Sequence, residues 1–358
     1  MSRPGAQTAA QRGACTVAPL ALTAGEPGGV GGEIAVKAWR ALKASGPVFF
    51  VIDAPERLAD YGAPVTAIDD AAAAPAVFAE ALPVLPLTER VRATPGRADP
   101  ENAAAVVAAI DTGVALTLAG DAAAVVTNPV QKSSLYEAGF KFPGHTEYLA
   151  ALTRDVPAPE PDAPRGPVMM LAAPGLRTVP ATVHQALATV PGALSVEGLT
   201  RIGRVIDAAL RLDFGIDEPR LALAGLNPHA GESGALGREE IEIVAPAAAA
   251  LRAAGVDAFG PVAADSLFHD EARAKFDAAL CMYHDQALIP VKTLDFHRAV
   301  NVTLGLPIVR TSPDHGAALD IAGTGRARAD SLIAALQLAA QLAARRLDRR
   351  ASPRSATL

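Results

Sequence analysis

The sequence predicts an α/β protein built on a mostly parallel sheet, and two observations carry that expectation. Short, near-continuous apolar runs alternate with longer segments of helical period. The polar and glycine-rich motifs follow directly on the apolar runs, at the ends of the expected strands. A strand covered on both faces by helices reads as unbroken apolar sequence, whereas a half-exposed strand alternates. With 358 residues, half of them hydrophobic, the chain is long enough for two domains or subdomains.

In chain order, residues 1–16 carry arginines but no apolar stretch of a secretory signal, and read as a disordered arm. VAPLALTAG (17–25) reads as a strand, GEIAVKAWRALKA (32–44) as a helix and VFFVID (48–53) as a strand. Residues 101–120 have helical period. AAVVTNP (123–129), VMMLAA (168–173), LALAGL (221–226) and AALCMY (278–283) read as compact strands. Residues 195–212, 239–255 and 329–347 read as helices. The Pro-rich stretch 157–167 is a loop, and residues 348–358 are a frayed tail.

Composition excludes several classes. Thirty-two basic against 38 acidic residues give a net charge of −6, and no basic block or aromatic-interleaved stripe suggests nucleic acid. The longest apolar stretches are alanine-rich and broken by Asp, Gly or Pro, so no membrane span is expected. Cys15 and Cys281 offer neither a disulfide framework nor a cysteine zinc site, which fits a reducing cytoplasm.

The seven histidines include no HExxH or HxH pattern. Three share one context: LRTVPATVH ends at His184, LALAGLNPH at His229 and AALCMYH at His284, each after an expected strand. Three strand-end imidazoles on one sheet edge can converge on a divalent cation and leave a coordination position open. Any one of them alone reads as a cap or a satisfied core histidine, and the spacing leaves both readings standing. His269 and His297 lie in polar surroundings and read as surface residues. In PGHTEYLAALTR (143–154), His145 and Thr146 open a helix whose N-terminus suits a phosphate, although simple capping by Thr146 explains the pattern equally well.

The glycine loop TAGEPGGVGGEI (23–34) is neither a dinucleotide fingerprint nor a P-loop, and reads as a tight strand-to-helix turn. A second glycine-punctuated loop, 311–330, is long and built from small residues, which suggests that something lies against its backbone. Lys292, Asn301 and Arg310 stand singly in apolar segments. A lone cation there is costly unless it reaches solvent or meets an anion, and the neighbouring histidines favour an anionic ligand.

The segments GEPGGVGGEI, TNPVQKSSLYEAGFKFPGHTEYLA, GLNPHAGESGALGREE, MYHDQALIPVK and VNVTLGLPIVRTSPDHGAALDIAGTG together resemble the 4-hydroxythreonine-4-phosphate dehydrogenase (PdxA) family, in order and spacing, from about residue 17 to 345. Glu26 stands where the family usually has Asp, and VHQAL lacks the family's usual proline. The resemblance implies an isocitrate/isopropylmalate dehydrogenase-like fold, two α/β subdomains around a cleft. The first would be 17–140 plus 300–347 and the second, with the metal site, 141–299. It implies a homodimer with the active site between subunits. The implied metal ligands are His184, His229 and His284 for zinc, magnesium or cobalt. The implied substrate residues are His145, Thr146, Lys292, Asn301 and Arg310. NAD or NADP would lie against His315, Gly316, Asp320 and Gly323, in a segment that looks like the adenosine loop of β-decarboxylating dehydrogenases. Lys292 and Asp285 are candidate catalytic groups, Asp285 for proton handling or for orienting His284, and Asp265 is a further candidate acid. The expected reaction oxidises and decarboxylates a small phosphorylated amino acid. A sister activity on erythronate- or threonate-4-phosphate, a metal-dependent hydrolase and a non-catalytic binding module are the competing readings.

Overall fold

The computed structural model describes residues 17–142, 144–158 and 164–351; the expected N-terminal arm and most of the expected tail lie outside them. Twelve strands form one sheet. They are β1 (Leu20–Thr23), β2 (Phe49–Asp53), β3 (Val65–Ala67), β4 (Leu82–Pro86), β5 (Val125–Val126), β6 (Val168–Ala173), β7 (Leu176–Pro180), β8 (Arg220–Ala224), β9 (Asp257–Val262), β10 (Ala278–Cys281), β11 (Val300–Leu304) and β12 (Arg310–Pro313). Their order is β3-β4-β2-β1-β5-β12-β11-β6-β7-β10-β8-β9.

The two outer parts of the sheet are parallel, as the unbroken apolar runs require: β1, β5 and β10 are buried along their whole length. The centre is different. β11 runs antiparallel to both β12 and β6, and β6 runs antiparallel to β7. The Pro174-Gly175 pair folds β6 back onto β7, with Gly175 at φ +82°, a conformation that glycine adopts without a Cβ penalty. After β11 the chain turns back and β12 pairs in parallel with β5, so the C-terminal strands complete the N-terminal half.

The expected helices are present at Gly31–Leu42, Ala103–Ala119 and Val196–Leu212. Residues 239–255 form one π-turn, Glu240–Val244, leading into the Ala245–Ala253 helix. The last helix, Asp330–Ala351, runs four residues past the expected end. Leu332, Ala335 and Leu336 on it join Leu20, Met170, Val205 and Val302 in a core that spans both halves of the sheet. A buried ion pair between Arg346 and Asp213 fixes it to the end of the Val196–Leu212 helix. The stretch Pro100–Ala119 is long and apolar enough to cross a membrane by length and composition alone. Here Val106, Ile110 and Val114 are buried in the core beside β5, as in the core helix of a globular domain.

This topology fixes where chemistry can gather. β7, β10 and β8 are parallel neighbours, so the loops that leave their carboxyl ends open on one edge of the sheet. Next to them, at β6, β11 and β12, strand direction reverses and the flanking loops part. Such a switch in direction is where α/β sheets leave a crevice.

Candidate active site

A cleft of about 710 Å³ lies at that reversal. It is lined by Thr127 and Asn128 after β5, Met169 on β6, His184 after β7, Asn301 on β11, and Arg310 and Ser312 on β12. The His284–Asp295 helix contributes His284, Leu288 and Lys292, and the His145–Leu152 helix contributes His145, Thr146 and Glu147. All five expected substrate residues, His145, Thr146, Lys292, Asn301 and Arg310, therefore meet in one place. His184, His284, His315 and Gly316 join them.

Arg310 is the strongest electrostatic feature. Its side chain is buried at 3% exposure. It donates to Thr127 Oγ1 at 2.6 Å and to Thr303 Oγ1 at 3.0 Å, while its Nε has no partner. Among the described residues it forms no ion pair, and burial alone lowers its pKa to about 10. An uncompensated buried guanidinium is costly, and the cleft is the place where its counter-charge can come from.

His145 opens its helix after Gly144, and no side chain caps that end. Thr146 is thus not the N-cap, and the uncapped first turn, His145 to Glu147, lines the cleft. The buried Nε2 of His145 also lacks a partner. Burial, followed by the charges of Arg310 and Lys132, lowers its pKa to about 3, so the imidazole is neutral at physiological pH. Asn301 Oδ1 is a third buried polar atom without a hydrogen bond. Lys292 Nζ lies 2.9 Å from Asp314 Oδ2, close in distance but poorly aligned for a hydrogen bond.

His184 and His284 stand together, ring centres 5.8 Å apart. That separation suits two imidazoles sharing one cation at N–metal distances of about 2 Å. Asp285 Oδ1 lies 2.7 Å from His284 Nδ1. With the proton on that side, Nε2 is left free as a ligand. The pKa of His184 is lowered, first by burial and then by the charges of Lys132 and His284, which favours the neutral, ligating form. The pair fits a divalent cation as two of its ligands.

His229 is not with them. It follows β8 at the expected edge but is exposed and does not line the cleft. Among the described residues no three His, Cys, Asp or Glu are grouped to hold a metal ion. The reason is local. Asn227 is tied by its N–H to Glu240 Oε1 at 2.7 Å and by its amide to Glu239 Oε2 at 2.7 Å. Residues from His229 to Ser233 then run with positive φ, between 44° and 80°. Asp320 and Gly323 also lie outside the cleft, although His315 and Gly316 on the same loop line it. Asp265 is exposed in a short turn away from it. Sequence reasoning assigned no role to Thr127, Asn128, Lys132, Ser312 and Asp314, which also line the cleft.

The fold is a mixed α/β one with its cleft at the reversal of strand direction, and the relatives that match over most of the chain place it among the dehydrogenases. Residues 50–339 match the family model described as pyridoxal phosphate biosynthetic protein PdxA. A 4-hydroxythreonine-4-phosphate dehydrogenase from Caulobacter vibrioides is 58% identical over 333 residues, covering 92% of this chain and 99% of the relative. The enzyme of that name from Methylorubrum populi is 54% identical, covering 91% and 95%. The crystal structure of a 4-hydroxythreonine-4-phosphate dehydrogenase from Klebsiella pneumoniae superposes with a TM-score of 0.79 at 36% identity, covering 92% and 98%. The chain belongs to the PdxA family.

Two outcomes follow from the electrostatics. Arg310→Met removes a buried charge without leaving a counter-charge stranded, only the hydroxyls of Thr127 and Thr303, so thermal unfolding should show stability unchanged or raised, while substrate turnover falls at least about a hundredfold. For His145 the folded pKa lies below the unfolded one, so between about 3 and 6.5 the unfolded state binds the extra proton. The contribution of His145 is present above pH 6.5 and is lost as pH falls towards 3. Unfolding midpoints of His145→Asn, measured across that window, should fall less steeply than those of the wild type.

Proposed function

We propose that the protein oxidises 4-phosphohydroxy-L-threonine with NAD or NADP and releases CO2 to give 3-amino-2-oxopropyl phosphate, a step towards pyridoxal 5′-phosphate. The observation that carries this reading is the buried, uncompensated Arg310 in one cleft with an uncapped helix N-terminus and a histidine pair. Together they provide an anion site next to a site for oxidation.

The substrate phosphate sits against Arg310, the first-turn N–H groups of the His145–Leu152 helix, and Thr146. His145 is neutral, so its Nε2 accepts or donates one hydrogen bond there without adding charge. Asn301 Oδ1 accepts from the substrate's amino group or hydroxyl and fixes its orientation. Lys292, held near Asp314, supplies a cation to the carboxylate end. A divalent cation of zinc, magnesium or cobalt on the histidines would lower the hydroxyl pKa and stabilise negative charge as CO2 leaves. Oxidation takes a hydride from carbon to the nicotinamide and a proton from the hydroxyl oxygen. The β-keto acid then loses CO2, the bonding pair stays on the adjacent carbon, and a proton is taken up there. Asp285 orients His284 and stands open to solvent, where it can pass a proton. His315 and Gly316, which line the cleft, with Asp320 and Gly323 on the same loop, would hold the nicotinamide cofactor, which would accept the hydride. The proposed compartment is the cytoplasm.

We further propose a homodimer in which His229 comes from the second copy to complete the His184–His284 pair. Leu187, Leu236, Ile241, Ile289, Leu294 and Phe296 are exposed, and all follow the carboxyl ends of β7, β8 and β10. An apolar face of that kind marks a partner surface. The left-handed run through His229, Ala230, Glu232 and Ser233 costs about 1–2 kcal/mol per residue, and a contact with the second copy would hold it in place.

Turnover is checked by NADH absorbance with 4-phosphohydroxy-L-threonine, with and without EDTA. NADH formation that EDTA abolishes, with equal CO2 release, is the expected result. Turnover of erythronate- or threonate-4-phosphate alone would move the protein to the sister activity. Co-expressing two inactive variants, His229→Ala and His284→Ala, tests the shared site. If His229 crosses between subunits, each mixed dimer regains one intact site and activity returns. If all three histidines act within one chain, the mixture stays inactive.

A further inference from the structure

The cleft contains a cation that the reaction above does not use. Lys132 is the first residue of the Lys132–Glu137 helix and lines the cleft beside His145, Thr146 and Glu147. Its Nζ lies 3.6 Å from the point where a side chain on Gly144 would begin. Gly144 has φ −174°, an extended conformation open to any residue, so its backbone does not call for glycine. A Cβ there would meet Glu147 Oε2 at 3.2 Å, the far end of a flexible side chain, and Lys132 at ordinary contact distance, so the lysine ammonium lies at the entrance of the His145–Leu152 helix.

This is an unfavourable place for an unpaired cation. A helix N-terminus repels positive charge, and Lys132 both begins one helix and stands at the start of another. Arg310 lies across the same cleft, uncompensated and buried. Among the described residues Lys132 forms no ion pair; Glu147 Oε2 also lies near Gly144 but not within ion-pairing distance of Lys132. The charge of Lys132 reaches both His145 and His184. Arg310, Lys132 and Lys292 therefore line one cleft, and among the described residues Arg310 and Lys132 have no carboxylate within ion-pairing distance, while Glu147 and Asp314 also line it.

We infer that Lys132 is a ligand of the substrate's phosphate, a second cation beside Arg310 in the anion pocket around His145. It makes the cleft select a dianionic phosphate ester over an uncharged or singly charged end. This rests on the proposed reading of the cleft as a phosphoester site. Its role is binding and selection, which the split between KM and kcat distinguishes from a part in the oxidation step.

Steady-state kinetics of Lys132→Met and Lys132→Arg, with competitive inhibition by inorganic phosphate, test the assignment. A charge-assisted hydrogen bond lost to phosphate corresponds to a rise in KM of about ten- to a hundredfold. Lys132→Met should show that rise with a much smaller change in kcat, and the Ki for phosphate should rise by a similar factor. Lys132→Arg should recover most of both. Glu147→Gln should leave KM unchanged or lower it, since it removes a negative charge near the anion. The inference is overturned if Lys132→Met leaves KM and Ki unchanged, or if it lowers kcat alone. It is also overturned if Glu147→Gln raises KM as Lys132→Met does, because Lys132 would then serve only to place Glu147. If the wild type does not turn over the phosphorylated substrate, the functional reading fails. Calorimetric titration of inorganic phosphate into the wild type and Lys132→Met still decides the role of Lys132.

Discussion

The organisation of the cleft depends on one buried charge without a counter-charge. Arg310 begins β12, the strand that returns the chain to its N-terminal half, and its guanidinium is held by two threonine hydroxyls and no carboxylate. A protein optimised only for stability would pair or replace it, since apolar substitutes for buried ions are often neutral or better. Its retention makes sense where an anionic ligand completes it. The nearby polar atoms left open, His145 Nε2 and Asn301 Oδ1, fit the same account. As buried polar atoms without a partner in the chain, they are what the proposed ligand would satisfy.

The sheet supplies the frame. Parallel strands on either side keep helices on both faces, while the antiparallel trio of β12, β11 and β6 breaks the pattern at the centre. That break sets the anion site next to the edge from which His184 and His284 emerge. Two histidines rather than three meet there within one chain. The third is on a loop tied to Glu239 and Glu240, amid exposed apolar residues. The proposal that catalysis requires the dimer rests on that separation of His229 from the pair and on the exposed apolar residues of the same part of the chain.

Much of this was legible in the sequence because burial of polar groups leaves a trace. Arg310 and Lys292 stood out as single cations in apolar segments, and His184 and His284 as imidazoles where strands end. The structure brings all four to one cleft. The antiparallel centre was not legible. VMMLAA and VNVTL are apolar whichever way their neighbours run, and only the Pro174-Gly175 turn hinted at the reversal. β3 and β4 were too short and too interrupted by proline to register. Lys132 lies in the polar stretch VQKSS, where a lysine is unremarkable; its interest comes from the fold, which places it in the cleft beside His145. The left-handed run at His229 is hidden because His, Ala, Glu and Ser do not announce positive φ as glycine does.

The central claim is that a bound phosphate supplies the missing counter-charge of Arg310. A crystal structure of the protein with 4-phosphohydroxy-L-threonine, or with inorganic phosphate, tests it most directly. The account predicts phosphate oxygens within hydrogen-bonding distance of the Arg310 guanidinium and of the first-turn N–H groups of the His145–Leu152 helix. A phosphate bound elsewhere, with Arg310 still meeting only Thr127 and Thr303, would contradict it.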